Sequence, residues 1–282
     1  MTESRRKKKP RRSTPRLQKE TPRLKKSLPK CYVLVRGRNA EAFVERCLES
    51  ILNQTYKNVT ILFVDDASDY TKEVRKRINH LLRDHVVVWR KERYFSVRNA
   101  YEMITTFCDD PDGVVVNVDA DDWLAHRTAL KTIIQFYKTE RCLFSYGNCY
   151  VRQGEVLDRL PIASEVMPAC NIPYSKDVIK NHTFRSVPFL IYHPRTWKVG
   201  AFKSIPLDAF KRSDGHWLQF CEDQAIFFPL LEMYPKQWYF CPTPLSVYNQ
   251  ANVSADIKLH RLETLRDEIE IRRKTPYAPV SI

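Results

Sequence analysis

Val114-Val115-Val116-Asn117-Val118-Asp119-Ala120-Asp121-Asp122-Trp123 is the stretch that decides the fold. A short apolar, β-branched run reads as a buried strand, and it ends in three carboxylates within four positions. Those acids repel one another, and a hard divalent cation with oxygen ligands would offset the repulsion. Open α/β sheets hold their ligands at such strand ends. The alternative reading of the same turn is an acidic cap for the next helix.

Working outward, strands and helices alternate. Tyr32–Val35, Val59–Val64 and Val86–Val88 read as strands before Val114–Val118, and Leu143–Tyr146 as one after it. Helical spacing marks Phe43, Val44, Cys47, Leu48, Ile51 and Leu52, then Val74, Ile78, Leu81 and Leu82, then residues 97–107, then Leu130, Ile133, Ile134 and Tyr137. This order predicts an α/β fold with a mainly parallel sheet flanked by helices. The second half is less regular. A proline-bearing loop region is expected over 155–185 and a helix over 223–234. Leu259, Leu262, Leu265 and Ile269 read as the apolar face of a last helix, expected to pack onto the core rather than to meet a membrane.

Charge divides the chain. Residues 1–30 hold 13 Lys or Arg against Glu3 and Glu20, a net of +11, while the remaining residues are nearly balanced at +3. The near lack of large apolar groups in residues 1–30 predicts a disordered basic tail, with 31–282 as a single folded domain. Arg5–Arg12 is a candidate for nuclear targeting, polyanion binding or contact with an anionic membrane face, or else a solvated solubility tail. A balanced remainder argues against a nucleic-acid groove. No run approaches the ~20 apolar residues that span a bilayer. The basic N-terminus lacks the apolar run of a signal peptide, so the expected location is cytoplasmic and the Asn-x-Ser/Thr matches are expected to be fortuitous. The eight cysteines form no Cys-x-x-Cys pair and sit in apolar runs, which predicts buried, reduced thiols rather than zinc ligands.

Four segments fall in a recognisable order: Arg36-Gly37-Arg38-Asn39 leading to a helix that ends Ser50-Ile51-Leu52-Asn53-Gln54-Thr55; Val64-Asp65-Asp66-Ala67-Ser68-Asp69; Ser96-Val97-Arg98-Asn99 followed by Asp119-Ala120-Asp121-Asp122; and Glu222-Asp223 at the start of a late helix. Over about residues 31–250 the chain resembles family-2 glycosyltransferases with a GT-A fold. The resemblance implies an inverting transferase. It would move a sugar from a nucleotide diphosphate sugar, a UDP-sugar first of all, to a glycan, protein or small-molecule hydroxyl, with Mn²⁺ or Mg²⁺ as cofactor. Asp65 and Asp66 would accept hydrogen bonds from the nucleoside, or else cap a helix. Asp119, Asp121 and Asp122 would hold the metal against the diphosphate, with Asp119 also on the donor side. Arg98 would clamp the diphosphate, or else form a surface salt bridge. Asp223 would be the base and Glu222 its support, although acids also suit a helix N-terminus for dipole reasons alone.

The chain departs from the family pattern in three places. Arg36 and Arg38 stand where a proline-bearing, Tyr-containing turn is usual, which makes Arg36 a candidate for altered donor contacts. Ala67 stands where Gly is common. Tyr248–Ser254 lacks the metal-binding His of many relatives, with Asn or Gln as substitutes; His193 and His216 are read as structural or acceptor-facing. Trp197, Trp217 and Trp238 are candidates for stacking on sugar rings, with the core as the alternative. Two rivals stand beside this reading: a nucleotidyltransferase on a related fold, and a non-enzymatic protein whose basic tail binds nucleic acid.

Overall fold

The computed structural model describes residues 28–152, 166–168, 171–252 and 256–280. Residues 1–27, much of the expected 155–185 loop region and Cys170 lie outside them. A seven-stranded sheet forms the centre, in the order β10-β6-β9-β4-β1-β2-β3. Its strands are β1 (Cys31–Gly37), β2 (Val59–Asp65), β3 (Val86–Trp89), β4 (Val114–Asp119), β6 (Phe144–Gly147), β9 (Arg195–Lys198) and β10 (Trp238–Cys241). All the pairings are parallel except those of β9, which runs antiparallel between β4 and β6. A second sheet, β5-β11-β7-β8, joins β5 (Trp123–Leu124), β11 (Ser246–Asn249), β7 (Tyr150–Arg152) and β8 (Val166–Pro168). The expected mainly parallel α/β sheet is therefore present, with one reversed strand inside it.

Side chains alternate across a strand, so each strand feeds two layers. Tyr32 and Leu34 of β1, Leu62 and Val64 of β2, and Val115 of β4 pack with α3 (Phe95–Phe107) and α7 (Glu222–Met233). Cys31, Val33 and Val35, with Ile61, Phe63, Val114, Val116 and Val118, pack with α1 (Glu41–Leu52), α2 (Lys72–Leu81) and α4 (Ala129–Thr139). By the same parity Arg36, Asn117 and Asp119 point to the α3/α7 side, and Asp65 to the α2 side.

The end of α1 locks the turn after β4. Gln54 is buried; its Nε2 donates to Ser50 O at 3.0 Å and His126 O at 2.7 Å, and its Oε1 accepts from Leu130 N at 3.0 Å. Ser50 Oγ accepts from Leu124 N at 3.0 Å. The Ser-x-x-x-Gln spacing thus fixes backbone on both sides of residue 125.

The last helix corrects an expectation. After α5 (Lys176–Asn181), α6 (Val199–Lys203) and α8 (Asp256–Leu259), α9 (Arg261–Arg273) turns Asp267 and Ile271 inward, while Leu262, Leu265 and Ile269 face solvent. Hydrogen bonds decide this orientation. Buried Asp267 accepts from Gln219 N at 2.8 Å and Phe220 N at 3.0 Å, and pairs with Arg212 at 2.7 Å. A charge so committed cannot rotate to solvent to let leucines in. Trp197 lies fully buried in the core, which removes it from the candidates for sugar stacking.

Ala67 has φ +59°, so a position where Gly is usual does carry a left-handed backbone. Ala67→Gly should relieve about 1 kcal/mol of strain and raise the thermal midpoint by roughly 2 °C, read by calorimetry. An unchanged or lower midpoint would show that the turn is unstrained.

Candidate active site

The C-terminal ends of β1, β2 and β4 and the N-termini of α3 and α7 surround a cleft of about 450 Å³. Register sets its floor: β1 and β4 pair Arg36 with Asp119, and β1 and β2 pair Gly37 with Asp65. Gly37 is needed because a Cβ there would sit 2.4 Å from Ala120 Cβ. Two cleft residues, Phe95 at the first position of α3 and Cys221 just ahead of α7, have φ +59° and +57°. Such strained positions concentrate at functional sites.

Arg36 lies at the centre. Its Nη2 donates to Asp119 Oδ1 at 2.9 Å and to Glu222 Oε2 at 3.0 Å, its Nε to Asn117 Oδ1 at 3.3 Å, and its Nη1 to Ser96 O at 3.3 Å. Arg195, at the start of β9, lies 3.3 Å from Asp223 Oδ2 and 3.8 Å from Glu222 Oε2. Its Nη2 reaches His193 Nε2 at 2.8 Å. Arginine can only donate, so Nε2 is the acceptor and the imidazole proton sits on Nδ1. Burial, followed by the charge of Arg195, pushes the His193 pKa down to about 3, so the ring is neutral.

The acidic turn divides its roles. Asp119 faces the two arginines; burial pushes its pKa up, but Arg36 and Arg195 outweigh that and hold it below the ordinary value. Asp121 lines the cleft and accepts from Asn252 Nδ2 at 2.7 Å. Asp122 is buried, with Oδ1 accepting from Asn249 N at 2.8 Å and Oδ2 3.8 Å from His193 Nε2. Burial, reinforced by Asp121 and Asp119, holds its pKa well above the usual range. Ligand atoms of Asp119, Asp122 and His193 lie within 4.8 Å of one another, and Asp122 Oδ2 is buried without a hydrogen bond. An orphaned carboxylate oxygen among mutually repelling acids fits a divalent cation. The lone pair of His193, however, is engaged by Arg195.

The remaining expected residues separate. Asp66 lines the cleft, where its Oδ1 accepts from Tyr94 N at 2.6 Å and Asn99 Nδ2 at 2.8 Å and its Oδ2 from Phe95 N at 3.1 Å. Asn99 thus orders the Asp66 carboxylate. Asp65 is fully buried on the α2 side, where its Oδ2 accepts from Ser68 N at 2.9 Å; it does not line the cleft. Arg98 does not line it either. It pairs with Glu102 at 2.8 Å, one turn along α3, and lies over the Tyr94 ring at 3.5 Å. Helical spacing provides that partner, so the salt-bridge alternative describes Arg98 here.

Sequence reading missed Arg195 and misplaced His193 outside the acidic site. Arg195 opens an antiparallel strand of only four residues, Arg195–Lys198, that no periodicity announces, and His193 lies two residues before it. Asn252 does meet the acids, from the stretch where a His is common.

Glu222 and Asp223 differ in access. The Glu222 side chain is 4% exposed and that of Asp223 25%. Burial pushes the Glu222 pKa up to about 7, which Arg36 and Arg195 only partly offset. Its folded pKa therefore lies above the ordinary 4.5. The group favours the fold below about pH 4.5, and that contribution is lost as pH rises towards 7. In urea unfolding at about pH 5 and pH 8, the wild type should lose more stability between the two than Glu222→Gln. Equal losses would place the Glu222 pKa at its ordinary value.

Against known proteins, residues 32–205 match the family described as glycosyl transferase family 2, and the chain belongs to it. It is 25% identical over 169 residues to WfaP of Escherichia coli, a UDP-Glc:alpha-D-GlcNAc-diphosphoundecaprenol beta-1,3-glucosyltransferase; the match covers 56% of this chain and 63% of WfaP. The chain spans less than two thirds of the curated relatives it matches. Its fold is similar to that of S. aureus TarS in complex with UDP, at TM-score 0.54 and 15% identity, over 86% of this chain and 66% of that one. The mannosyltransferase PcManGT from Pyrobaculum calidifontis, in complex with GDP-Man and Mn²⁺, also has TM-score 0.54 and 15% identity, over 88% and 66%.

Proposed function

We propose that this family-2 glycosyltransferase moves a sugar from a nucleotide diphosphate sugar, a UDP-sugar first of all, to an acceptor hydroxyl with inversion at the anomeric carbon. One observation carries the reading. The acidic turn after β4 and the Glu222-Asp223 pair, far apart in sequence, face one cleft and share Arg36 and Arg195 as counter-charges. WfaP uses UDP-Glc and TarS binds UDP, which favours uridine, while the GDP-Man of PcManGT keeps the base open to test.

In this reading Asp223, the more accessible of the two acids, takes the acceptor proton as the hydroxyl oxygen attacks the anomeric carbon. The bond to the diphosphate breaks on the opposite face, and the nucleoside diphosphate leaves with that electron pair. Arg195 holds the Asp223 carboxylate in place. Glu222, fastened by Arg36, keeps the guanidinium beside Asp119 and supports the start of α7. Asp66, its carboxylate held by Tyr94, Phe95 and Asn99, forms the cleft wall against which the nucleoside would lie. Asp119 and Asp122, with Asp121 at the cleft surface, would hold Mn²⁺ or Mg²⁺, and His193 could join them where Arg195 yields. Such an ion supplies electrostatic stabilisation of the leaving diphosphate. One displacement with one base accounts for inversion. Reduced, buried Cys31, Cys47, Cys108, Cys142, Cys149 and Cys241 suit a reducing compartment such as the cytoplasm. Among the described residues no helix is long and apolar enough to cross a membrane.

Thermal shift with UDP, GDP, CDP or TDP, each with and without Mn²⁺, tests the donor site. A metal-dependent rise with UDP that is lost in Asp121→Ala/Asp122→Ala supports the reading, because only ligands of the folded state raise the midpoint. No rise with any nucleotide would reduce it to a likeness of fold. Asp223→Asn should lower kcat by roughly 10³-fold while leaving the UDP-induced rise intact. A mutant within a few-fold of wild type would remove Asp223 from the role of base.

A further inference from the structure

The outer face of α9 is built the wrong way round for a helix that only packs on a core. Leu262 is 79% exposed, Leu265 51% and Ile269 41%, on one side of the helix, and Leu259 just before it is 60% exposed. The opposite side is held by Asp267 and Ile271, both essentially fully buried. These leucines are therefore not waiting to fold inward. The helix is pinned by its buried carboxylate, and its apolar stripe is presented outward.

Charge around the stripe is mainly basic, with Glu263 the exposed acid of the helix. Lys258, Arg261, Arg266 and Arg273 are exposed along it. Two of the helix's four acids are engaged on its flanks, Glu268 with Arg272 at 2.8 Å and Glu270 with Ser213 N at 2.7 Å, and a third is the buried Asp267. Residues 1–30 add a further net +11 to the same chain. Two such faces from two copies would bring cation to cation, which disfavours self-association. A surface of anionic headgroups over acyl chains complements both features, because apolar insertion and basic attraction add for an interfacial helix.

We propose that α9 docks the protein onto an anionic lipid surface, with Leu259, Leu262, Leu265 and Ile269 entering the headgroup boundary and Lys258, Arg261, Arg266 and Arg273 meeting the phosphates. Leu259, Thr264 and Glu268 also line the cleft. Docking would place the cleft mouth beside the membrane, within reach of an acceptor carried on a lipid. The surface itself needs no step of the transfer reaction, so its failure would leave the transferase reading intact.

The test is co-sedimentation of the full chain with vesicles of phosphatidylcholine alone and of phosphatidylcholine with about 30% phosphatidylglycerol. Wild type should bind the anionic vesicles and bind the neutral ones much less. The triple variant Leu262→Ser/Leu265→Ser/Ile269→Ser should lose binding by roughly tenfold or more. Its thermal midpoint should stay that of wild type, because the three side chains touch little of the core. Leu207→Ser, at a 47% exposed leucine away from α9, should bind as wild type does. Equal vesicle binding by the triple variant would overturn the proposal and leave the tail as the sole anchor. So would a wild-type dimer in light scattering that the triple variant abolishes while neither binds vesicles.

Discussion

A buried arginine between two carboxylates organises this molecule. Arg36 donates from one Nη2 to Asp119 and Glu222, and its other nitrogens to Asn117 and the Ser96 carbonyl. Its partners come from β4, from the start of α3 and from the start of α7. Burying that guanidinium is tolerable because its nitrogens meet charged or carbonyl oxygens, and removing one partner would strand a charge in a poorly hydrated site. The helix termini and the acidic turn are consequently held in one arrangement.

Arg195 extends the network to Asp223 and His193, so the cleft alternates positive and negative groups. The acids keep two different availabilities. Glu222 is buried against Arg36, whereas Asp119, Asp121 and Asp223 reach the cleft, Asp119 and Asp223 with guanidinium partners of their own. Asp122 keeps an oxygen without a hydrogen bond beside a neutral histidine. Arginines set among the acids offset the repulsion that burying several carboxylates side by side would otherwise bring. The same frame extends outward through Asp267, which holds the Gln219-Phe220 backbone just before α7 and fixes which side of α9 meets solvent.

What could be read from the chain, and what could not, follows from how far each interaction reaches. Strand periodicity and the carboxylate turn point to the mainly parallel sheet and to the strand ends where the cleft lies, because both are local. Alternation also turns Asp65, the last residue of β2, to the α2 side, while Asp66 just past the strand end lines the cleft. The Ser50-Gln54 segment was recognisable as a pattern, but its purpose, fixing the backbone either side of residue 125, appears only in the hydrogen bonds. Arg98 follows a local rule, since Glu102 one turn later provides the partner that its salt-bridge reading calls for.

The sequence by itself determined the layers, the register-ready strands, the acids and the reduced core cysteines, since these rest on short-range pattern and composition. Tertiary structure alone decided three things. It brought β9 in antiparallel, which delivered Arg195 and His193 to the acids. It set Arg36 between residues from both halves of the chain. It also turned α9 by the hydrogen bonds of Asp267 rather than by its leucines. In each case the deciding energy belongs to contacts between distant segments, and a window of sequence holds only one side of such a contact.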